Sequence, residues 1–143
     1  MKKTLLLTLM ALSFSYAEMA KDMTVYKSPY CGCCGNWIAQ MKEKGFNIKT
    51  VVKENFDDVK AKHGLTPQTA SCHTALIDGY FIEGHVDYSA IKKLLTEKPK
   101  DIRGLTVPGM VVGSPGMEMG NKKDPYNIIA IKKDGGTMIY EKH

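Results

Sequence analysis

Apolar and polar positions alternate from Met23 to Lys27, the pattern of a short half-buried strand, and Ser28-Pro29-Tyr30 then interrupts it. Beyond this break the period changes. Cys34, Trp37, Ile38 and Met41 fall at i, i+3, i+4 and i+7, so they share one face of a helix that Gly45 is suited to end. Asn47 to Lys53 carries the β-branched run Thr50-Val51-Val52 and reads as a second strand, joined to the first through the helix in a βαβ unit. Asn55 to Gly64 is expected to be a short helix, with Phe56 and Val59 turned inward and Gly64 closing it. Thr74 to Ile82 reads as two strands hinged at Asp78-Gly79, a dipeptide that accepts the positive φ angles of a tight hairpin. Asp87 can cap a further helix whose apolar face is Tyr88, Ile91, Leu94 and Leu95 and which ends before Pro99.

Strand, helix, strand, helix, hairpin, helix is the order of thioredoxin-like domains. The expected fold class is therefore α/β, a thioredoxin-like mixed sheet with flanking helices. From Gly104 onward the chain exceeds that minimal core. Val107 to Gly120 is rich in Gly, Pro and Met, with Pro-Gly-Met at 108–110 and again at 115–117, and is expected to be a loop. Tyr126 to Lys133 and Thr137 to Glu141 alternate around Asp134-Gly135-Gly136 and read as a C-terminal β-hairpin extension.

The first residues follow a different pattern. Lys2 and Lys3 precede an apolar run from Thr4 to about Phe14, and Ser15-Tyr16-Ala17 supplies the small residues that suit signal-peptide cleavage. The run is shorter than the roughly 20 apolar residues that span a bilayer, so export without a stable membrane anchor is expected. Residues 1–17 are thus assigned as a signal peptide and 18–143 as one domain, beginning in earnest near Met23. With 143 residues, 43% of them hydrophobic and 24% charged, the chain suits one domain better than two. The formal charge of +5 weakens as an argument once Lys2 and Lys3 are removed. The remaining 18 basic and 15 acidic residues leave +3, and no aromatic interleaving accompanies the lysine pairs, so no nucleic-acid partner is indicated.

Cysteine placement carries the chemistry. Three of the four cysteines, Cys31, Cys33 and Cys34, lie within four positions, at the start of the first expected helix. Cys31 and Cys34 form a C-x-x-C, where backbone N–H groups and the helix dipole favour thiolate, which suits metal binding and disulfide exchange alike. Cys33 adds a third soft ligand that a redox pair does not need. Structural zinc commonly joins separated ligand pairs, and here there is no second C-x-x-C. Cu(I) is soft and accepts bridging thiolates, so several ions can share a compact sulfur set. Four thiolates with four Cu(I) ions sum to zero charge, whereas four on one Zn(II) leave −2 in a partly buried site. In a thioredoxin-like chain the residue before the hairpin strand lies beside the C-x-x-C and is commonly a cis-proline. Ser71-Cys72-His73 occupies that stretch here, which places Cys72 as the fourth thiolate and weakens the case for an exchange enzyme.

These residues resemble the CopG-like copper-resistance proteins, small exported thioredoxin-like proteins. The resemblance rests on Tyr30-Cys31-Gly32-Cys33-Cys34 followed by Trp37, on Ala70-Ser71-Cys72-His73-Thr74-Ala75, on Gly104-Leu105-Thr106-Val107-Pro108-Gly109-Met110, and on Gly113-Ser114-Pro115-Gly116-Met117-Glu118. It implies a Cu(I)–thiolate cluster of several ions on Cys31, Cys33, Cys34 and Cys72. It also implies a role in periplasmic copper handling, with copper ions and other periplasmic copper proteins as partners and without assigned catalysis.

Other readings compete. Four cysteines allow one pair of structural disulfides in three connectivities, and strain between adjacent Cys33 and Cys34 would send Cys72 to one member of the trio, leaving the other two paired. Cys31 and Cys34 alone could serve a thiol–disulfide oxidoreductase. Met110, Met117 and Met119 are accessory Cu(I) ligands by softness but gap-fillers by the general habit of methionine. His73 is an accessory ligand by type, although neighbours in an extended segment point to opposite faces. His85 is left open, and His63 and His143 read as surface groups.

Overall fold

A computed structural model describes residues 21–143. The expected signal peptide, 1–17, lies outside the described residues. Seven strands form one mixed sheet: β1 (Asp22–Lys27), β2 (Asn47–Val52), β3 (His73–Ile77), β4 (Tyr80–Glu83), β5 (Ile102–Thr106), β6 (Asn127–Lys132) and β7 (Thr137–Lys142). Three helices, α1 (Gly32–Glu43), α2 (Asp57–Lys62) and α3 (Tyr88–Glu97), connect them. The sheet order is β2-β1-β3-β4-β5-β6-β7. β1 pairs parallel with β2 across α1, and β4 parallel with β5 across α3, while the other neighbours are antiparallel.

The apolar stripe of α1 is buried as its spacing requires. Cys34 and Trp37 are fully enclosed, and Trp37, Ile38 and Met41 join Ala90, Ile91, Leu94 and Leu95 of α3 in the main core. Alternate residues of the central strands, Ala75, Ile77, Ile82, Leu105, Ile128 and Ala130, face this layer. On the other side a smaller cluster gathers Leu65, Phe81 and Ile131. α3 starts as expected, with Asp87 Oδ1 accepting from the Ala90 N–H at 2.8 Å.

Two expectations change. The second helix is shorter than Asn55 to Gly64: it spans Asp57–Lys62, Phe56 is its buried cap residue, and Val59 is only half-buried. Asn55 instead closes a local turn, its Oδ1 accepting from the Asp57 N–H at 2.9 Å. The second difference is β5, which the alternation at 102–106 does not announce because Arg103-Gly104 interrupts it. Gly104 is required there, since a Cβ would collide with the backbone and ring of Phe81 on β4. The strand joins the first four strands to the terminal hairpin β6–β7, where the sequence suggests only a continuation into loop.

Candidate metal centre

The site is assembled at one end of the sheet, where β1 stops, α1 starts and the β3–β4 hairpin opens. Cys31 is the residue preceding α1, and Cys33 and Cys34 lie in its first turn, which contains no acidic side chain. The unpaired N–H groups of such a turn favour negative charge on sulfur. Cys72 comes from the bend immediately before β3. Ligand atoms of all four cysteines lie within 4.8 Å of one another. The positioning expected for Cys72 is therefore what the fold produces.

Two sulfurs of the set are bonded to each other. Cys31 and Cys34 form a disulfide, and Cys33 and Cys72 are free thiols. This is the oxidised form of the site, and its pairing differs from the two-disulfide arrangement in which Cys72 is bridged. Cys33 Sγ is 3.5 Å from Cys31 Sγ, and Cys34 Sγ is 3.7 Å from the Cys72 carbonyl oxygen. Burial pushes the Cys72 thiol up to about 11; a hydrogen bond from Ser71 opposes this, and proximity to Cys33 adds to it.

Two histidines converge on Cys72. His73 Nδ1 is 3.4 Å and His85 Nε2 3.1 Å from its sulfur, and both rings are fully buried. The opposite-face argument against His73 fails because Cys72 lies in a bend, where strand alternation does not hold. His85 donates from Nδ1 to the Pro115 carbonyl at 2.7 Å, which leaves the Nε2 lone pair facing Cys72. His73 lies against Trp37, ring centroids 4.5 Å apart, and its Nε2 is buried without a hydrogen-bond partner. Burial, then the nearby His85 and Lys60, lower His73 to about 3. Burial also lowers His85, against the opposing pull of the Pro115 carbonyl. Both rings are consequently neutral donors at physiological pH. Sequence reasoning left His85 open, yet the hairpin contains the signal. Counting outward from Asp78-Gly79, Ile77 pairs with Tyr80 and Thr74 with Glu83, and two further steps set Cys72 opposite His85.

The Gly/Pro/Met loop closes over this end by its backbone. The first Pro-Gly-Met docks on the segment carrying Cys72: Gly109 N–H donates to the Ala70 carbonyl at 3.1 Å, and Ser71 Oγ donates to the Gly109 carbonyl at 2.5 Å. The second supplies the Pro115 carbonyl to His85, and Gly116, at φ +83°, lies so close to α1 that a Cβ would come 2.8 Å from Trp37 N and 3.1 Å from the Cys33 carbonyl. Among the methionines considered as ligands, Met110 and Met119 are 55% and 61% exposed, and Met117 is half-buried.

A second feature escaped sequence reasoning. Glu83 is fully buried and accepts from the Ser71 N–H at 2.7 Å, from Thr74 Oγ1 at 2.6 Å and from the Lys60 ammonium. Lys60 also donates to the Ser71 carbonyl at 3.1 Å. Burial raises the Glu83 carboxyl, and Lys60, Thr74 and Ser71 pull it back. The pair therefore holds both sides of the Ser71 backbone, one residue from Cys72.

The same arrangement of chain occurs in solved structures. A copper resistance protein, copG, in its Form 2 is 36% identical, with a TM-score of 0.82 and coverage of 87% of this chain and 98% of that chain. Form 1 is 37% identical with the same score and coverage. The chain belongs to the CopG family. A family described as "Protein of unknown function, DUF411" matches residues 69–117, the stretch from the Cys72 bend to the second Pro-Gly-Met. No curated protein sequence matches. The likeness to CopG extends over almost the whole of the related chain.

Proposed function

We propose that the protein binds several Cu(I) ions as a thiolate-bridged cluster on Cys31, Cys33, Cys34 and Cys72, and sequesters them or passes them to other copper proteins outside the cytoplasm. The observation that carries this reading is the mutual approach of four sulfur ligands within 4.8 Å, on residues about forty positions apart. The donor chemistry fits: soft sulfur for Cu(I), with neutral imidazole nitrogen of His73 and His85 at its edge. Copper is the cargo here. Similarity to a copper resistance protein supports the same class of ion. Export rests on the first 17 residues and suits a compartment in which unliganded thiols oxidise.

Loading requires that the Cys31–Cys34 bond first accept two electrons and two protons from a thiol reductant, after which all four sulfurs are available. That bond also supports a second reading, a thiol–disulfide oxidoreductase working through Cys31 and Cys34. Anaerobic titration of the reduced protein with Cu(I) separates them. The cluster reading expects several ions per chain, with the uptake reduced in Cys33→Ser and in Cys72→Ser. Uptake of one ion or none, beside insulin-reducing activity that needs only Cys31 and Cys34, would establish the oxidoreductase instead.

A further inference from the structure

A group of oxygen and nitrogen ligands lies apart from the sulfur site. His143, read from sequence as a surface residue, is half-buried, with its ring stacked on Tyr126 at 4.8 Å and 8°. Its backbone is held as firmly: His143 N–H donates to the Tyr126 carbonyl at 2.8 Å, and Tyr126 N–H returns a bond of 3.1 Å. So positioned, His143 Nε2 stands 3.1 Å from Asp87 Oδ2 and 3.5 Å from Glu141 Oε2. It is buried and forms no hydrogen bond of acceptable geometry with either.

We propose that Asp87, Glu141 and His143 form a second metal site, for a divalent ion of the zinc or copper(II) kind. Three observations bear on it. First, the three ligand atoms lie within 4.8 Å of one another. Donors about 2.0–2.1 Å from a tetrahedral ion lie roughly 3.3 Å apart, and the two measured distances bracket that value. Second, the ligands are already oriented. Asp87 Oδ1 is engaged in capping α3, accepting from the Ala90 N–H and Ser89 Oγ at 2.8 Å each, so that Oδ2 is fixed toward His143. Lys93 lies 3.9 Å from Glu141 Oε1, the oxygen not directed at the imidazole. Third, a dication with two carboxylates and a neutral imidazole sums to zero charge, which suits side chains only 18–24% exposed. Water can take the fourth position. This donor set selects ions unlike the soft Cu(I) suited to the cysteines.

The inference is independent of the cysteine reading and is tested where no thiol is free. In the oxidised Cys33→Ser/Cys72→Ser protein, calorimetric titration with Zn(II), and separately with Cu(II), should give one ion per chain, with Cu(II) the tighter. Wild-type protein alkylated at Cys33 and Cys72 provides the same measurement if the double variant folds poorly. His143→Phe retains the stacking ring, and Glu141→Gln retains the shape; each should weaken binding at least tenfold while the metal-free melting temperature stays near its parent. Asp87→Asn keeps the helix cap through Oδ1 and should weaken binding likewise. Absence of uptake, or uptake that all three substitutions leave unchanged, would overturn the proposal.

Discussion

His85 Nε2 stands 3.1 Å from Cys72 Sγ across the mouth of the β3–β4 hairpin, with its lone pair directed there by the Nδ1–H bond to Pro115. One backbone register therefore sets sulfur and nitrogen side by side, and a loop carbonyl fixes which nitrogen is the donor. Replacing His85 by Phe keeps the ring volume and removes both roles. Loss of such an orienting or ligating group costs about 10–100-fold in metal affinity. Competition with a chromogenic Cu(I) chelator should show a loss of that size; unchanged affinity would make His85 a packing residue only.

His73 couples the same region to acid stability. Its folded pKa is held down at about 3, by burial first and then by His85 and Lys60, against 6.5 in the unfolded chain. Below pH 6.5 the unfolded state binds a proton that the folded state refuses, so stability present at neutral pH is lost as pH falls toward 3. The slope from this group is up to about 1.4 kcal/mol per pH unit. Urea melts of the metal-free protein between pH 7 and 4 should be flatter for His73→Phe, which removes this contribution and leaves those of His85, His63 and the depressed carboxyls of Asp78, Glu118 and Asp134 in the same direction. Parallel profiles for the two proteins would contradict this.

The loop is seated through glycine. At Gly116 a Cβ would meet the Trp37 backbone at 2.8 Å, and the residue's φ of +83° already disfavours any side chain. Gly116→Ala should cost about 1–3 kcal/mol. Gly32→Ala is the matching control, since a Cβ there meets nothing within 4 Å. Thermal melts should separate the two; equal melting temperatures would mean that the loop does not rest on α1.

Lys60 and Glu83 act as a unit around Ser71. Removing only the carboxylate, in Glu83→Ala, leaves a largely buried ammonium without its partner and should cost about 3–5 kcal/mol. Lys60→Met/Glu83→Leu removes both charges and should recover much of that in denaturant melts. A double variant as unstable as the single would show that the hydrogen bonds to Ser71 and Thr74, not the unpaired charge, set the cost.

How far the chain announces this site depends on whether its cues are local. The α1 stripe, the cysteine trio at its start, the Asp78-Gly79 hinge and the Asp87 cap follow from period and turn chemistry within a few residues. β5 does not, because Gly104 answers to Phe81 on the neighbouring strand rather than to its own neighbours. Glu83 and Lys60 are equally opaque, being charged residues whose burial only tertiary pairing makes tolerable. For His73 the strand-alternation argument does not apply, because its neighbour Cys72 lies in the bend one residue before the strand. His85 was legible by counting the hairpin register, and His143 becomes a ligand only once β7 brings it against the start of α3.

X-ray absorption at the copper edge of anaerobically loaded protein tests the central claim most directly. The account predicts a first shell dominated by sulfur together with a copper–copper scattering shell that disappears in Cys33→Ser. A copper bound without any metal–metal shell, at no more than one ion per chain, would contradict it.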